Sequence, residues 1–341
     1  AGLGGRPAQP GAQPSRSMSR RLDPAATRRQ LLVLGLGLAA ALPLAARAAG
    51  PAHKLRIGFQ KSSTLMIFLK SRGTLEKALA PLNVAVSWHE FTSGLPLLEA
   101  LNIGAIDLSA DVADAVPPFA LAAGAKLTYV AIETPSPQAQ AIVVRSNSPI
   151  TSVAQLKGQK VAFAKGAGAH FLLLEALAAH GLSVRDIEPA YLSPADGRAA
   201  FEGGNVAAWV IWDPFLAAVQ RQAGARILVD GTRLSAYRRF YLAATPYAQR
   251  RGDVLATVYA ELQRAGEWIK QNPGPAAEWH APVIGLDAAT VEAANLRRSY
   301  RVQPVDGEAL AEQQRIADAF VQAQILPCKL LIAESPVWRP A

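Results

Sequence analysis

The alternation of strand-like and helix-like runs constrains the fold of this 341-residue chain more than any other feature. The run "KLRIGF" at 54–59 is typical of a buried strand, and the run that follows from Thr64 has helical spacing. The same order recurs after "VAVSWHEF", "AIDLSA", "QKVAFA" and "AAWVIW". Such βαβα order predicts an α/β fold, with mainly parallel sheets flanked by helices.

Polar, turn-rich connections divide the chain into candidate lobes. We expect the first part of lobe 1 at 49–146, ending where "SNSPITS" at 146–152 interrupts the apolar runs. A second lobe is predicted over 147–240, with a return crossing near 237–244. The pattern is almost all helical from Arg250 onward, and we expect residues 241–341 to return to lobe 1 and their helices to pack on it.

The segment 1–48 is predicted to be an N-terminal extension with an export signal. The twin arginine Arg28-Arg29 precedes an apolar run from Leu31 to Ala46, and Ala46-Arg47-Ala48 fits an A-x-A cleavage pattern. The run is short and contains Pro43, which argues against a stable membrane span. A general secretory signal with adjacent arginines is the alternative to the twin-arginine route.

Charge and cysteine usage agree with an exported protein. The net charge is +9, but seven of the 35 Lys and Arg residues precede Ala48, against one acidic residue, Asp23. The remainder has no basic run, which excludes the electrostatic footprint of a nucleic-acid-binding protein. The single cysteine, Cys328, allows no internal disulfide, and no cysteine follows the apolar run to carry a lipid. We expect a soluble periplasmic protein without a lipid anchor.

The segment "VAFAKGAGAHFLLLEALAAHG" at 161–181 combines a strand, a glycine-rich turn and a helix. It is not a dinucleotide fingerprint, since Phe171 stands where G-x-G-x-x-G requires glycine, and it lacks the P-loop pattern. A helix that begins in small residues exposes backbone N–H groups, which attract oxyanions. Gly168, Ala169 and His170 are therefore candidate anion contacts. The alternative is a turn that serves packing, with His170 on the surface.

Three other strand-to-helix turns supply further candidate contacts. They are Gln60, Asp111, Val112, Asp114, Trp212 and Asp213. Trp212 could form a cleft wall, because the carboxyl ends of strands line clefts in open α/β sheets. Asp213 could either contact a ligand or only cap the next helix. If turns of both lobes converge, they form one cleft.

Signatures of catalysis and metal binding are missing from the sequence. "HEFTS" from His89 departs from H-E-x-x-H, no G-x-S-x-G occurs, and the five histidines are scattered. We therefore predict no enzyme activity, no metal and no cofactor.

Eight stretches, in order from about residue 55 to 325, carry a family resemblance. They read "IGFQK", "LLEALNIGAIDL", "PPFALAAGAKLTYVA", "QLKGQKVAFAKGAGAHFLLLEAL", "PADGRAAFEGG", "AWVIWDPFLAA", "RRSYRVQP" and "EQQRIADAF". In these stretches the chain resembles the aliphatic sulfonate-binding proteins of bacterial ABC importers, a family similar to taurine- and nitrate-binding receptors.

The resemblance implies a two-lobed periplasmic binding protein of type II, with the ligand in a cleft between the lobes. By position it implies ligand contacts at Gln60, at 111–114, at 168–170 and at Trp212-Asp213. Typical members have hydroxyl residues in the turns that read "ADVADAV" and "KGAGAH" here, so the implied donors are backbone N–H groups and His170. It further implies a monomer that delivers a sulfonate-like organic anion to the membrane subunits of an ABC permease.

Two alternatives share this fold. One is a sensory receptor that binds a similar anion and signals to a partner protein. The other is an enzyme similar to the thiamine-pyrimidine synthases, which carry a cysteine-rich motif, whereas this chain has one cysteine.

Overall fold

The chain forms two sheets, each flanked by helices. The computed structural model describes residues 53–340, so the predicted export signal at 1–48 lies outside the described residues. Within 53–340, none of the helices is both long enough and apolar enough to cross a lipid bilayer.

Within residues 53–340, six strands form the first sheet. They are β1 (His53–Gln60), β2 (Val84–Phe91), β3 (Leu108–Ala113), β4 (Leu127–Glu133), β10 (Arg239–Ala244) and β11 (Val302–Gln303). Their order is β11-β4-β10-β3-β1-β2. β1 is parallel to β2 and β3, whereas β10 is antiparallel to both β3 and β4. The carboxyl ends of β1, β2 and β3 therefore share one edge.

The second sheet contains five strands. They are β5 (Gln140–Val144), β6 (Lys160–Phe163), β7 (Glu188–Tyr191), β8 (Ala208–Trp212) and β9 (Arg226–Asp230). Their order is β7-β6-β8-β5-β9. β6 is parallel to β7 and β8, whereas β5 is antiparallel to both β8 and β9. The carboxyl ends of β6, β7 and β8 therefore share one edge of this second sheet.

Helices connect and cover the strands. They are α1 (Thr64–Arg72), α2 (Thr74–Leu79), α3 (Gly94–Asn102), α4 (Val116–Ala122), α5 (Gly168–Ala178), α6 (Pro194–Glu202), α7 (Phe215–Ala223), α8 (Thr245–Arg250), α9 (Gly252–Gln271), α10 (Pro273–Ile284), α11 (Ala288–Arg297) and α12 (Gly307–Gln322). α1 ends at Gly73, whose φ of 60° is a left-handed conformation that favours glycine. The buried residues of β1, α1 and α9 share one apolar core.

The predicted two-lobed α/β architecture is confirmed, but the sheets are mixed where we expected mainly parallel ones. The difference comes from β5, β10 and the short edge strand β11, which is antiparallel to β4. β5 and β10 are the strands by which the chain enters each sheet after a crossing, and both are antiparallel to their two neighbours. The sequence pattern shows that these segments are strands, but strand direction depends on the path of the chain between lobes.

The sheet pairing also corrects the first lobe boundary. The chain leaves the first sheet after β4 and enters the second at β5, so the crossing lies at 134–139 and the predicted break at 146–152 falls after it. The polar segment 146–152 instead connects β5 to β6 within the second lobe. Its polar residues end a strand, which a sequence pattern cannot distinguish from a domain boundary. The return crossing lies between β9 and β10, at 231–238.

The two crossing segments lie side by side. The N–H of Ser136 donates to the carbonyl of Ala236 at 2.9 Å. A third segment, 298–302, joins them, because the N–H of Thr134 donates to the carbonyl of Arg301 at 3.0 Å. The N–H of Ser299 also donates to the hydroxyl of Ser136. Three chain segments with shared hydrogen bonds therefore link the lobes.

The segment 298–302, which joins this link, lies directly on α9. Lys270 donates to the carbonyl of Arg298 at 2.9 Å, and Gln263 donates to the carbonyl of Val302 at 3.3 Å. Between them Gly266 is buried, and a Cβ atom at this position would overlap the carbonyl oxygen of Tyr300. The glycine therefore allows the backbone of the link to approach the helix.

We expect Gly266→Ala to lower the free energy of unfolding by about 3 kcal/mol, because the clash with a backbone atom outweighs alanine's helix propensity. Gly274→Ala, in α10, is the matched control, since no atom lies within 4 Å of the position that its Cβ would take; it should be neutral or stabilise by up to about 1 kcal/mol. Urea unfolding of both variants measures the difference. Equal midpoints would contradict the assigned close approach.

Candidate functional site

A small cavity lies where the carboxyl edges of the two sheets face each other. It has a volume of about 20 Å³ and is called the inner cavity here. Its lining comes from both lobes: Gln60, Gly94, Ala113, Val116, Ala167, Gly168, Trp212, Tyr237 and Arg239. The predicted convergence of strand-to-helix turns on one cleft is therefore observed for the turns after β1, β6 and β8.

Two helices begin at the inner cavity, one from each lobe. α3 begins at Gly94 and α5 at Gly168, and both residues line the cavity. The N-cap residues, Ser93 and Ala167, make no side-chain capping bond, so the first-turn N–H groups are not satisfied by a cap. Each helix N-terminus carries about half a positive charge, so a bound anion is stabilised from both sides.

Arg239, at the start of β10, adds a guanidinium group to the inner cavity. It is 2% exposed and donates from Nε to Asp111 at 2.9 Å and from Nη1 to the hydroxyl of Tyr237 at 2.8 Å. Arg239 is not among the contacts that the sequence predicted. The sequence does carry a signal for it, an arginine at the start of an otherwise apolar strand, since a charged side chain is rarely buried without a partner.

Asp111 belongs to a buried network of four charged groups. It lies 2.6 Å from Arg239 and 3.3 Å from Arg298, and Arg298 lies 2.6 Å from Glu133. Two carboxylates and two guanidinium groups balance each other, which relieves the cost of burying each charge. Asp111 therefore holds Arg239 and does not repel an anion in the cavity.

Asp111, Val112 and Asp114 do not line the inner cavity, so their predicted contact with a ligand stays a prediction. The strand β3 continues to Ala113, whereas the sequence suggested a turn from Asp111. Ala113 is the residue that reaches the cavity. Val112 is buried in the core, and Asp114 accepts the N–H of Arg238 at 3.0 Å, near Glu312 of α12.

His170 does not line the inner cavity, and the alternative that placed it on the surface is wrong. Its ring is fully buried, 4.8 Å from Phe163 and 5.2 Å from Phe320 between centroids. Burial, with a smaller effect of Lys165, lowers its pKa to about 4, so the ring is neutral near pH 7. Nδ1 accepts the N–H of Gly166 at 3.2 Å.

Helix geometry explains this outcome for the glycine turn. Successive residues of an α-helix point about 100° apart, because one turn takes about 3.6 residues. Gly168 faces the cavity, so Ala169 and His170 turn toward the protein interior, where both are fully buried. Of the predicted triplet, the structure places only Gly168 in the lining.

Trp212 and Asp213, adjacent in the "IWDP" turn, likewise differ in whether they line the cavity. Trp212 is 5% exposed and lines the inner cavity. Asp213 accepts the N–H of Ala217 at 3.0 Å, in the first turn of α7, and lies 3.2 Å from Arg297. Desolvation raises the pKa of Asp213 to about 6, partly offset by Arg297. Asp213 thus stabilises the helix start, as the alternative interpretation held, and does not line the cavity.

A second, larger cavity adjoins the inner one and is called the outer cavity. Its volume is about 290 Å³, and Gln60 and Trp212 line both cavities. Gln60 is 5% exposed and donates from its amide to the carbonyl of Asp111 at 3.3 Å. Among residues 53–340, no group of three or more His, Cys, Asp or Glu could hold a metal ion. The site thus has a small end at two helix N-termini and a wider end beside it.

The family comparison matches residues 48–282 to the model of the NMT1-like family. Among curated proteins, a chain of Escherichia coli strain K12 named as an aliphatic sulfonates-binding protein is 43% identical over 314 residues. That alignment covers 92% of this chain and 97% of the relative.

Solved structures give the same result. The periplasmic aliphatic sulphonate binding protein SsuA of Escherichia coli is 44% identical with a TM-score of 0.78, over 84% of this chain and 92% of that one. The alkanesulfonate-binding protein SsuA of Xanthomonas axonopodis pv. citri, bound to MOPS, is 42% identical with a TM-score of 0.80. It is matched over 86% of this chain and 100% of that one.

The burial of Asp114 leads to a prediction of how the stability of the protein depends on pH. Burial, with a smaller contribution from Glu312, raises its pKa from 3.8 to about 7. The folded state then binds more protons than the unfolded state between about pH 4 and 7, so ionisation of this group lowers stability as the pH rises.

We expect Asp114→Asn to remove this effect, so that the stability of the variant relative to wild type increases between pH 4 and pH 8. Urea unfolding at several pH values measures the difference, in which the contributions of other groups cancel. A pH-independent difference would contradict the burial of an ionisable group at this position.

Proposed function

The chain belongs to the NMT1-like family and to its aliphatic sulfonate-binding proteins, and from this premise we propose that it is the solute-binding receptor of an ABC importer. In this proposal it holds an aliphatic sulfonate, or a similar small organic anion, between its two lobes. The observation that carries the proposal is the inner cavity, where two helix N-termini and Arg239 meet.

The cavity suits an oxyanion because its donors come from fixed backbone and a fixed side chain. Gly94 and Gly168 bring backbone from opposite lobes, and Gln60 adds an amide. The charges of Asp111 and Arg239 already balance within the buried network. The ligand's negative charge is therefore stabilised chiefly by partial charges of helix N-termini, which permits both binding and release.

The chain is a binding protein and not an enzyme. The relatives described above are binding proteins by name. The inner-cavity lining also lacks a nucleophile paired with a base: burial raises the pKa of Tyr237 to about 12, so its phenol stays protonated. Tyr237 is suited to donate or support a hydrogen bond.

Closure of the lobes supplies the proposed mechanism. A ligand favours the closed state when it makes contacts there that the open state lacks, and the inner cavity takes its contacts from both lobes. The linked crossings at 134–139 and 231–238 are the proposed hinge. Gly168 fits closely in the closed form, since a Cβ atom there would lie 2.7 Å from the ring of Tyr237.

The export route, the bounds of the mature receptor and its oligomeric state are also proposals. We infer that a twin-arginine signal within 1–48 directs export, that residues 49–341 form the periplasmic receptor, and that it works as a monomer with ABC permease subunits. The relative that supports a periplasmic location is SsuA of Escherichia coli, which is named as a periplasmic protein. A sensory receptor for the same ligand remains the alternative, and permease and ATPase genes beside this gene would favour transport.

A ligand panel tests the proposed function. We expect alkanesulfonates to raise the melting temperature, because a ligand at a hundredfold excess over Kd adds about 2.7 kcal/mol of stability. Taurine, sulfate esters and nitrate complete the panel in thermal-shift and titration calorimetry. If no anion of the panel binds, the receptor proposal fails.

The variant Gly168→Ala tests closure over the anion. We expect it to weaken alkanesulfonate binding about tenfold or more, since overpacking costs about 1–3 kcal/mol and arises only when the lobes close. Gly307→Ala is the matched control: it too is the first residue of a helix, and a Cβ atom added there would have no neighbour within 4 Å. Calorimetric titration measures the affinity. Equal affinities for the two variants would contradict the proposed contact.

A further inference from the structure

We propose that the outer cavity selects anions whose organic tail carries an aromatic ring. This inference rests on the proposed function, because it places the ligand's anionic head in the inner cavity. It goes further in naming the class of tail, which we assign to arylalkanesulfonates in preference to short-chain alkanesulfonates such as ethanesulfonate.

The two cavities are arranged for one ligand. Gln60 and Trp212 line both, so the two cavities adjoin. In the proposal the lobes part enough to admit the anionic head to the inner cavity, whose volume here is about 20 Å³, and the tail lies in the outer cavity. The outer cavity also takes its walls from both lobes, with Phe91 at the end of β2 and Phe215 at the start of α7. A tail of suitable shape therefore adds to the contacts that favour closure.

Three of the eleven residues that line the outer cavity are aromatic. Trp212 and Phe215 meet edge to face, with centroids 6.1 Å apart and planes at 82°, and half-buried Phe91 lies on the opposite lobe. Aromatic rings prefer such edge-to-face or offset contacts, so a further ring finds partners on both sides. A short alkyl chain can use little of this surface.

The size and the charge of the outer cavity also favour an aromatic tail. The outer cavity measures about 290 Å³, whereas an apolar cavity of about 150 Å³ is enough to hold benzene. A phenyl ring with a short linker fits, while a two-carbon tail leaves most of the space to water. The charged residues in the lining, Lys61 and Glu90, are exposed and of opposite sign, so together they favour no tail charge.

Calorimetric titration of the full mature chain with 2-phenylethanesulfonate and ethanesulfonate tests the inference, since the two ligands share one head and linker. We expect the phenyl compound to bind at least about tenfold more tightly. Octanesulfonate, which has the same number of carbons as the phenyl compound, separates ring recognition from hydrophobicity and should bind more weakly than the phenyl compound.

Two variants at one position assign the effect to the outer cavity. Phe215→Ala should weaken 2-phenylethanesulfonate about tenfold and ethanesulfonate less than about twofold, and Phe215→Leu, which keeps the apolar volume, should give an intermediate loss. Ile103→Ala is the control: Ile103 is 80% exposed at the end of α3, outside the lining, and its truncation should change neither affinity.

The outcomes separate the two proposals. If ethanesulfonate or octanesulfonate binds as tightly as the phenyl compound, the ring selectivity is overturned and the receptor function stands. If the phenyl preference survives Phe215→Ala unchanged, the outer cavity is not its source. If no sulfonate binds at all, the proposed function itself fails.

Discussion

The balanced burial of four charges in the first lobe is the constraint on which the site depends. Asp111, Glu133, Arg239 and Arg298 come from three strands and from the segment after α11, and all are at most 3% exposed. Removing one member would leave an unpaired charge in the interior, which costs several kcal/mol, about 3–5 by comparison with other buried pairs. The network therefore fixes Arg239 where β10 meets the cleft.

That fixed guanidinium explains how a turn poor in hydroxyl groups can still serve an anion. The segment "KGAGAH" offers no side-chain oxygen donor, and its histidine is buried and neutral. Gly168 compensates by bringing the start of α5 against Tyr237, which is itself held by Arg239. Backbone from one lobe and a side-chain network from the other thus form a single small cavity.

Local patterns predicted the local part of this structure. The strand, turn and helix around Gly168 and the wall position of Trp212 follow from short-range signals, and so does the α/β class. Arg239 was missed because its partner Asp111 lies 128 positions away, and no local pattern records that pairing. Asp111 lies outside the cavity lining because β3 extends to Ala113, and His170 does so because the direction of a side chain depends on rotation within one helical turn. Long-range pairing, strand ends and side-chain direction are the quantities that the sequence alone leaves open.

The electroneutrality of the network bears on how a carrier can release its cargo. If the anion's main partner were an unpaired buried cation, release of the anion would leave that cation buried without a partner. Such release would carry a large cost in free energy. Here the charge of Arg239 is already balanced by Asp111, and the helix N-termini can be solvated by water when the lobes part. In the proposed receptor the free energy of binding is therefore concentrated in contacts that exist only when both lobes are in place. Separation of the lobes would remove those contacts together, so the proposal makes lobe closure the variable that sets affinity.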